Sequence, residues 1–146
     1  MGTPSKWYTP LTIIALIWNL IGCFAFLSDV VISPEIVARM SAAQQALYES
    51  RTFWSIAATA IAVWCGAAGS LGLILRKRWA MPLLIASLLG LIVQDFGLFV
   101  LTNAATLAGP VAFVLQGCVL LVAIGLVALA RVAAARGWIL REVVEK

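Results

Sequence analysis

The sequence predicts an all-α, polytopic membrane protein: a four-transmembrane-helix antiparallel bundle with short interfacial helices between the first and second spans. Three observations predict it. Four apolar runs each reach roughly the 20 residues that a bilayer core requires of a helix. Of the 146 residues, 64% are hydrophobic and only 11% charged. The basic residues sit at the ends of the apolar runs rather than along them. A chain this short cannot hide so much apolar surface in one small aqueous core, because small domains leave much of their surface wet. Lipid is therefore the predicted solvent and the main partner.

The first span, residues 11–31, follows a polar start containing Lys6, Trp7, Tyr8 and Pro10. A cation before an apolar stretch also opens a signal peptide, and Leu20-Ile21-Gly22-Cys23 resembles a lipoprotein cleavage box. Phe24, Ala25, Phe26 and Leu27 carry the apolar run past that point and three more spans follow, so an uncleaved helix is predicted. Polarity then rises. Ser33-Pro34-Glu35 is a helix-start signal, with a capping hydroxyl and proline at the first helical position. Ser41 and Gln44 have the spacing of a capping box, and Ile36, Met40, Ala43 and Leu47 recur at helical spacing. Residues 34–49 thus read as two amphipathic pieces lying in the membrane interface.

The second span covers residues 52–75, between Arg51 and the loop Arg76-Lys77-Arg78-Trp79. The third, residues 80–102, carries Pro82 in its first turn, where the missing amide donor would be unpaired anyway. The fourth begins at Gly109-Pro110 and covers residues 110–130. Residues 131–146 are predicted to extend the last helix into water, with Trp138 at the interface. Short connections make successive helices antiparallel neighbours, so residues 1–146 form one domain. Eight cations, Lys6, Arg76, Lys77, Arg78, Arg131, Arg136, Arg141 and Lys146, fall on one side against Arg39 and Arg51 on the other. Positive charge marks the cytoplasmic face, which places both termini in the cytoplasm of a cell bounded by this plasma (inner) membrane.

Several function classes are excluded. The chain has no histidine, which removes histidine-based acid–base catalysis and most zinc and haem sites. No span pairs a nucleophile with a base, so no enzyme, catalytic residue, metal site or cofactor is predicted. The cations form no stripe interleaved with aromatics, which excludes nucleic acid as a partner. Cys23, Cys65 and Cys118 lie in three different apolar runs and read as buried thiols.

Helices associate in lipid by close packing and hydrogen bonds, which favours small residues at crossings. Ala58, Ala62, Gly66 and Ser70 repeat every four residues and form such a ridge, fitting either contact within the bundle or a homo-oligomer interface. Ala86 and Gly90 on the third span offer a matching surface. Polar groups inside spans need partners or water. They are Asn19, Thr59, Gln94, Asp95, Asn103 and Gln116. Counting about 1.5 Å per residue from the cytoplasmic ends puts Asp95, Gln116 and Thr59 roughly 22 to 24 Å across, with Asn19 nearer 12 Å. Three helices thus present polar groups at one level. An ionised carboxylate in a span costs about 2.5 to 3.5 kcal/mol, and no cation lies in a span, so Asp95 is expected to be protonated or hydrated. It reads either as a proton carrier or as a structural carboxyl held by Gln116 or Thr59. Trp18, Trp54 and Trp64 read as packing or interface anchors. Asp29, Glu35 and Glu49 read as a solvated acidic face at the outer end.

Trp7-Tyr8-Thr9-Pro10, the run Ile17-Trp18-Asn19-Leu20-Ile21-Gly22, residues 33–50 before Phe53-Trp54, the loop from Leu75 to Ala80, Gln94 and Gly109-Pro110 together resemble a family of small bacterial four-helix membrane proteins of uncharacterised function, often labelled automatically as sugar transporters. The resemblance covers nearly the whole chain. It implies a small-solute transporter, working through a polar cavity near Asn19, Gln94, Asp95 and Gln116. Where the family is expected to carry a less acidic segment after Gln94, often with a histidine, Asp95, Phe96 and Gly97 stand here. The alternative function is a non-transporting accessory subunit that docks a partner through the small-residue ridge and the interfacial helices.

Overall fold

The computed structural model describes residues 3–101 and 109–139. Asn103, Arg141 and Lys146 lie outside the described residues. Six α-helices follow one another: α1 (Tyr8–Val30), α2 (Pro34–Ala38), α3 (Ala42–Glu49), α4 (Phe53–Ile74), α5 (Ala80–Phe96) and α6 (Gly109–Ala135). A π-helical turn, Gly97–Leu101, continues α5. There is no strand among the described residues. Helices α1, α4, α5 with its continuation, and α6 are long and apolar enough to cross a bilayer. The chain is an all-α four-helix bundle with the makings of a multi-pass membrane protein.

Side-chain exposure has the distribution that a lipid solvent produces. Large apolar residues such as Phe24, Phe53 and Leu121 stand on the outside. The buried positions are mostly small: α4 buries Ala58, Ala62, Gly66, Ala67, Gly69, Ser70 and Gly72. Helix α4 is the centre of the bundle, packing on α1 and on α5, while α6 packs chiefly on α5. The close α4–α5 contact needs glycine. A Cβ at Gly90 would lie 2.9 Å from the Ala58 carbonyl oxygen and 3.0 Å from the Ala62 amide nitrogen. The ridge of Ala58, Ala62, Gly66 and Ser70 is buried within the chain, the first of the two kinds of contact its spacing fitted.

One end of the bundle carries Lys6, the loop Arg76–Arg78, Arg131 and Arg136, and is tightly closed. Tyr8 at the start of α1 donates its hydroxyl proton to the Leu73 carbonyl oxygen at 2.8 Å. Trp138 is buried and meets the Tyr8 and Trp7 rings edge-on, with centroids 5.3 and 5.8 Å apart. This differs from the expected water-borne helical tail. After Ala135 the chain turns at Gly137, whose φ is 67°, and the Trp138 amide donates back to the Ala133 carbonyl oxygen at 2.8 Å. That reversal, a glycine C-cap, buries Trp138 against the bundle instead of continuing the helix into water. The loop after α4 closes with the same hydrogen-bond pattern, Lys77 N to Gly72 O at 2.8 Å. There Arg76, not glycine, takes the left-handed conformation, at φ 55°.

At the opposite end, α3 begins with the expected capping box, in which Ser41 and Gln44 bond reciprocally. Ser33 starts α2 by its extended backbone and the following proline, without the side-chain hydrogen bond expected of it. The loose end of α2 is held by Gln45, whose Nε2 reaches the carbonyl oxygens of Val37, Ala38 and Met40 at 3.1 to 3.2 Å. The Val37 carbonyl already accepts from the Met40 amide, but the end of a short helix leaves carbonyls in need of partners, so Gln45 ties α2 to α3.

Candidate functional site

Each long helix turns one stripe toward the middle of the bundle. On α5 it is Leu84, Ser87, Leu91 and Gln94; on α6 it is Gln116, Val119, Ala123 and Leu126, both spaced three and four residues apart as one helix face requires. With Trp18, Asn19 and Gly22 from α1 and Thr59, Ala62 and Val63 from α4, these stripes enclose a cavity of about 350 Å³. None of its lining residues is charged. A second cavity of about 760 Å³ lies between the vestibule end of α1, helix α3, the start of α4 and the end of α5. It is more polar, with Asp29, Tyr48, Ser50, Arg51 and Thr52 in its wall. Thr59 and Gln94 belong to the walls of both cavities. The two chambers therefore meet at these residues.

The polar groups of the inner chamber fall into two sets. In the first, each side chain donates to a partner in the protein. Asn19 Nδ2 donates to the Ala15 carbonyl oxygen at 2.9 Å and to Ser70 Oγ at 3.1 Å. Ser87 Oγ donates to the Ala62 carbonyl oxygen at 2.5 Å, and Thr59 Oγ1 to that of Ser55 at 3.0 Å. Gln116 Nε2 donates to Asp95 Oδ1 at 2.5 Å. Gly66 makes room for this arrangement, because a Cβ there would fall on the Asn19 carboxamide and within 3.0 Å of Ser87 Oγ. The second set is Gln94 alone. Its side-chain amide makes no hydrogen bond to any described residue and faces both chambers.

Of the residues singled out in the sequence, Asn19, Thr59, Gln94 and Gln116 share the inner chamber, whereas Asp95 lines neither cavity. Successive residues of a helix point about 100° apart. Gln94 continues the inward stripe of α5, and Asp95 is turned toward α6, where it holds Gln116. At the vestibule, Asp29 forms an ion pair with Arg51, whose guanidinium also lies 4.8 Å from the centre of the Tyr48 ring. Both side chains of the pair remain exposed, as the solvated outer face expected for Asp29 requires. Trp54 packs on Gly97, where a Cβ would meet the indole at 2.5 Å. The π-helical turn is secured to α6 by stacking of Phe99 on Phe113, with centroids 4.3 Å apart. Sequence reasoning missed Ser87, and placed Ser70 on the packing ridge without its bond to Asn19. The signal available for Ser87 was its spacing, seven residues before Gln94 and therefore on the same helix face.

The bundle and its paired chambers define a four-span membrane protein with an uncharged internal cavity that is closed at its basic end. No family model matches the chain, and no match was found among curated proteins or solved structures.

Proposed function

We propose that the protein is a small-solute carrier of a bacterial inner membrane, in a state open to its vestibule and closed at its basic end. The observation that carries the reading is the Gln94 amide, free to bond a solute at the junction of the chambers. Gln94 is half-buried and lines both cavities, so its amide is reachable by a solute, whose hydrogen bond to it would be worth about 1 kcal/mol. Cavities of roughly 300 to 1,000 Å³ lined by apolar residues with a few polar groups are the usual form of small-molecule sites. The excess of cations at the basic end supports a cytoplasmic placement of that end and of both termini. The resemblance to small bacterial four-helix membrane proteins supports the same reading. Asp95 contributes proton coupling through Gln116, whose amide orientation follows the charge on the carboxyl it bonds, rather than by touching the solute.

The test is retention of tritiated uncharged solutes, namely a hexose, glycerol and 1-decanol, by the chain in nanodiscs. Wild type is expected to hold at least one of them. Gln94→Leu should weaken that binding about tenfold, the equivalent of one hydrogen bond of about 1.4 kcal/mol. Equal retention of every solute by wild type and variant refutes the role of Gln94. For the coupling, Asp95→Asn should leave binding in place and abolish the pH dependence of uptake into proteoliposomes; a pH dependence that survives removes Asp95 from the mechanism.

A further inference from the structure

The inner chamber is open sideways. Helix α1 rests on α4 and α6 on α5, but α1 and α6 scarcely approach each other along their lengths. They are joined at the basic end, where Trp138 meets Trp7 and Tyr8. Beyond that junction Trp18 and Ile21 line the chamber and are 44% and 61% exposed, so the chamber is not covered on that side. From the other side Val119 and Ala123 of α6 complete the rim. The slot therefore faces the region that acyl chains occupy.

The hydrogen-bonding capacity of the chamber narrows what can occupy it. No charge is present to balance an ionised ligand, and burying an unpaired charge is far more costly than burying a paired one. The Asn19, Thr59 and Ser87 donors are committed within the protein, as is one hydrogen of the Gln116 amide. That leaves the Gln94 amide and the second Gln116 hydrogen to donate. Most of the wall is apolar, formed by Trp18, Ile21, Leu84, Leu91, Val119 and Leu126 among others, so a sugar would lay several of its hydroxyl groups against hydrocarbon, and each of those loses its hydrogen bonds to water. A molecule with a single polar head loses nothing of the kind.

We propose that the inner chamber takes an uncharged, mostly apolar molecule with one hydrogen-bonding head group, which enters from the bilayer between α1 and α6 and is held by Gln94. This rests on the carrier reading and assigns its substrate class and route. It also departs from the sugar that the family label implies.

The experiment uses the full chain in nanodiscs with two photoreactive probes: a diazirine-bearing long-chain alcohol in the bilayer and a diazirine-bearing glucose in the water. Labelled residues are mapped by mass spectrometry. The alcohol is expected to label Trp18, Ile21, Val119 or Ala123. Unlabelled 1-decanol should suppress that labelling at least tenfold in the wild-type chain, a measurement independent of how any variant folds. Gln94→Leu should lower it by a similar factor, while labelling of the lipid-facing Val111 and Val114 stays unchanged. If glucose labels the chamber and the alcohol does so without competition, the proposed class and route are wrong and the carrier reading survives. If neither probe labels a lining residue, both fall.

Discussion

Gly66 and Asn19 should be energetically coupled, and the coupling tests whether the inner chamber is built as described. In Gly66→Ala the new methyl falls on the Asn19 carboxamide and within 3.0 Å of Ser87 Oγ. Asn19 must swing away and surrender its 3.1 Å bond to Ser70. An interhelical hydrogen bond in a bilayer contributes about 0.6 kcal/mol on average and up to about 1.7. Displacing a packed side chain adds strain of about 1 kcal/mol or more, while alanine recovers about 0.8 to 1 kcal/mol of helix propensity relative to glycine. The net loss works out at about 1 kcal/mol. Asn19→Ala alone should cost a similar amount, since it leaves the buried Ser70 hydroxyl without that partner. In the Asn19→Ala background the carboxamide is gone and only Ser87 Oγ at 3.0 Å still crowds the methyl, so Gly66→Ala should cost clearly less than it does in the wild-type chain. Equilibrium unfolding of the four chains in mixed micelles, by titration with a denaturing detergent, measures the cycle. If Gly66→Ala costs the same with and without Asn19, Gly66 is not there to admit that side chain and the described chamber wall is wrong.

Gly90→Ala places a methyl against backbone atoms of α4 that no rotamer change can clear, so it should cost about 1 to 3 kcal/mol by the same assay. Gly125→Ala, where nothing lies within 4 Å, should cost nothing, and equal losses at both sites would contradict the α4–α5 packing. Tyr8→Phe removes a buried hydrogen bond to Leu73; a loss of about 1 kcal/mol is expected, with faster amide hydrogen exchange at the basic end of α1 and α4. Gln45→Ala should unfasten α2, raising exchange over residues 34–40 while global stability stays within about 0.5 kcal/mol of wild type. Unchanged exchange there would show that Gln45 holds nothing.

The spans were legible because they depend on one-dimensional quantities. Length, hydropathy and the position of cations locate a helix whatever it packs against, and the helix limits Phe53–Ile74 fall within a residue of those expected. The small-residue ridge was visible for the same reason, since a spacing of four is a property of the chain. What covers the ridge was not visible. Whether Gly66 meets Asn19 of this chain or a second copy depends on helix rotation, which the apolar pattern of a span surrounded by lipid on several sides sets only weakly. The last helix failed differently. Its apolar pattern continues past residue 130, but a single glycine at 137 in the left-handed conformation reverses the chain. One backbone dihedral thus turns Trp138 back onto Tyr8 and Trp7.

The polar residues show where counting stops and geometry begins. By depth alone Gln94 and Asp95 are equivalent, and chemistry favours the acid, because a carboxyl in a span is the costlier group and more often functional. Their rotation about α5 reverses the order. Asp95 meets Gln116 and gains the partner that a span requires of it, whereas Gln94 reaches no described side chain and opens onto both chambers. A satisfied polar group in lipid is structural by default, since its cost is already offset. One left unsatisfied needs something else to occupy the cavity it faces. On that criterion the proposed site centres on the neutral amide, while Asp95 stands behind the chamber wall, bonded to Gln116, which lines it.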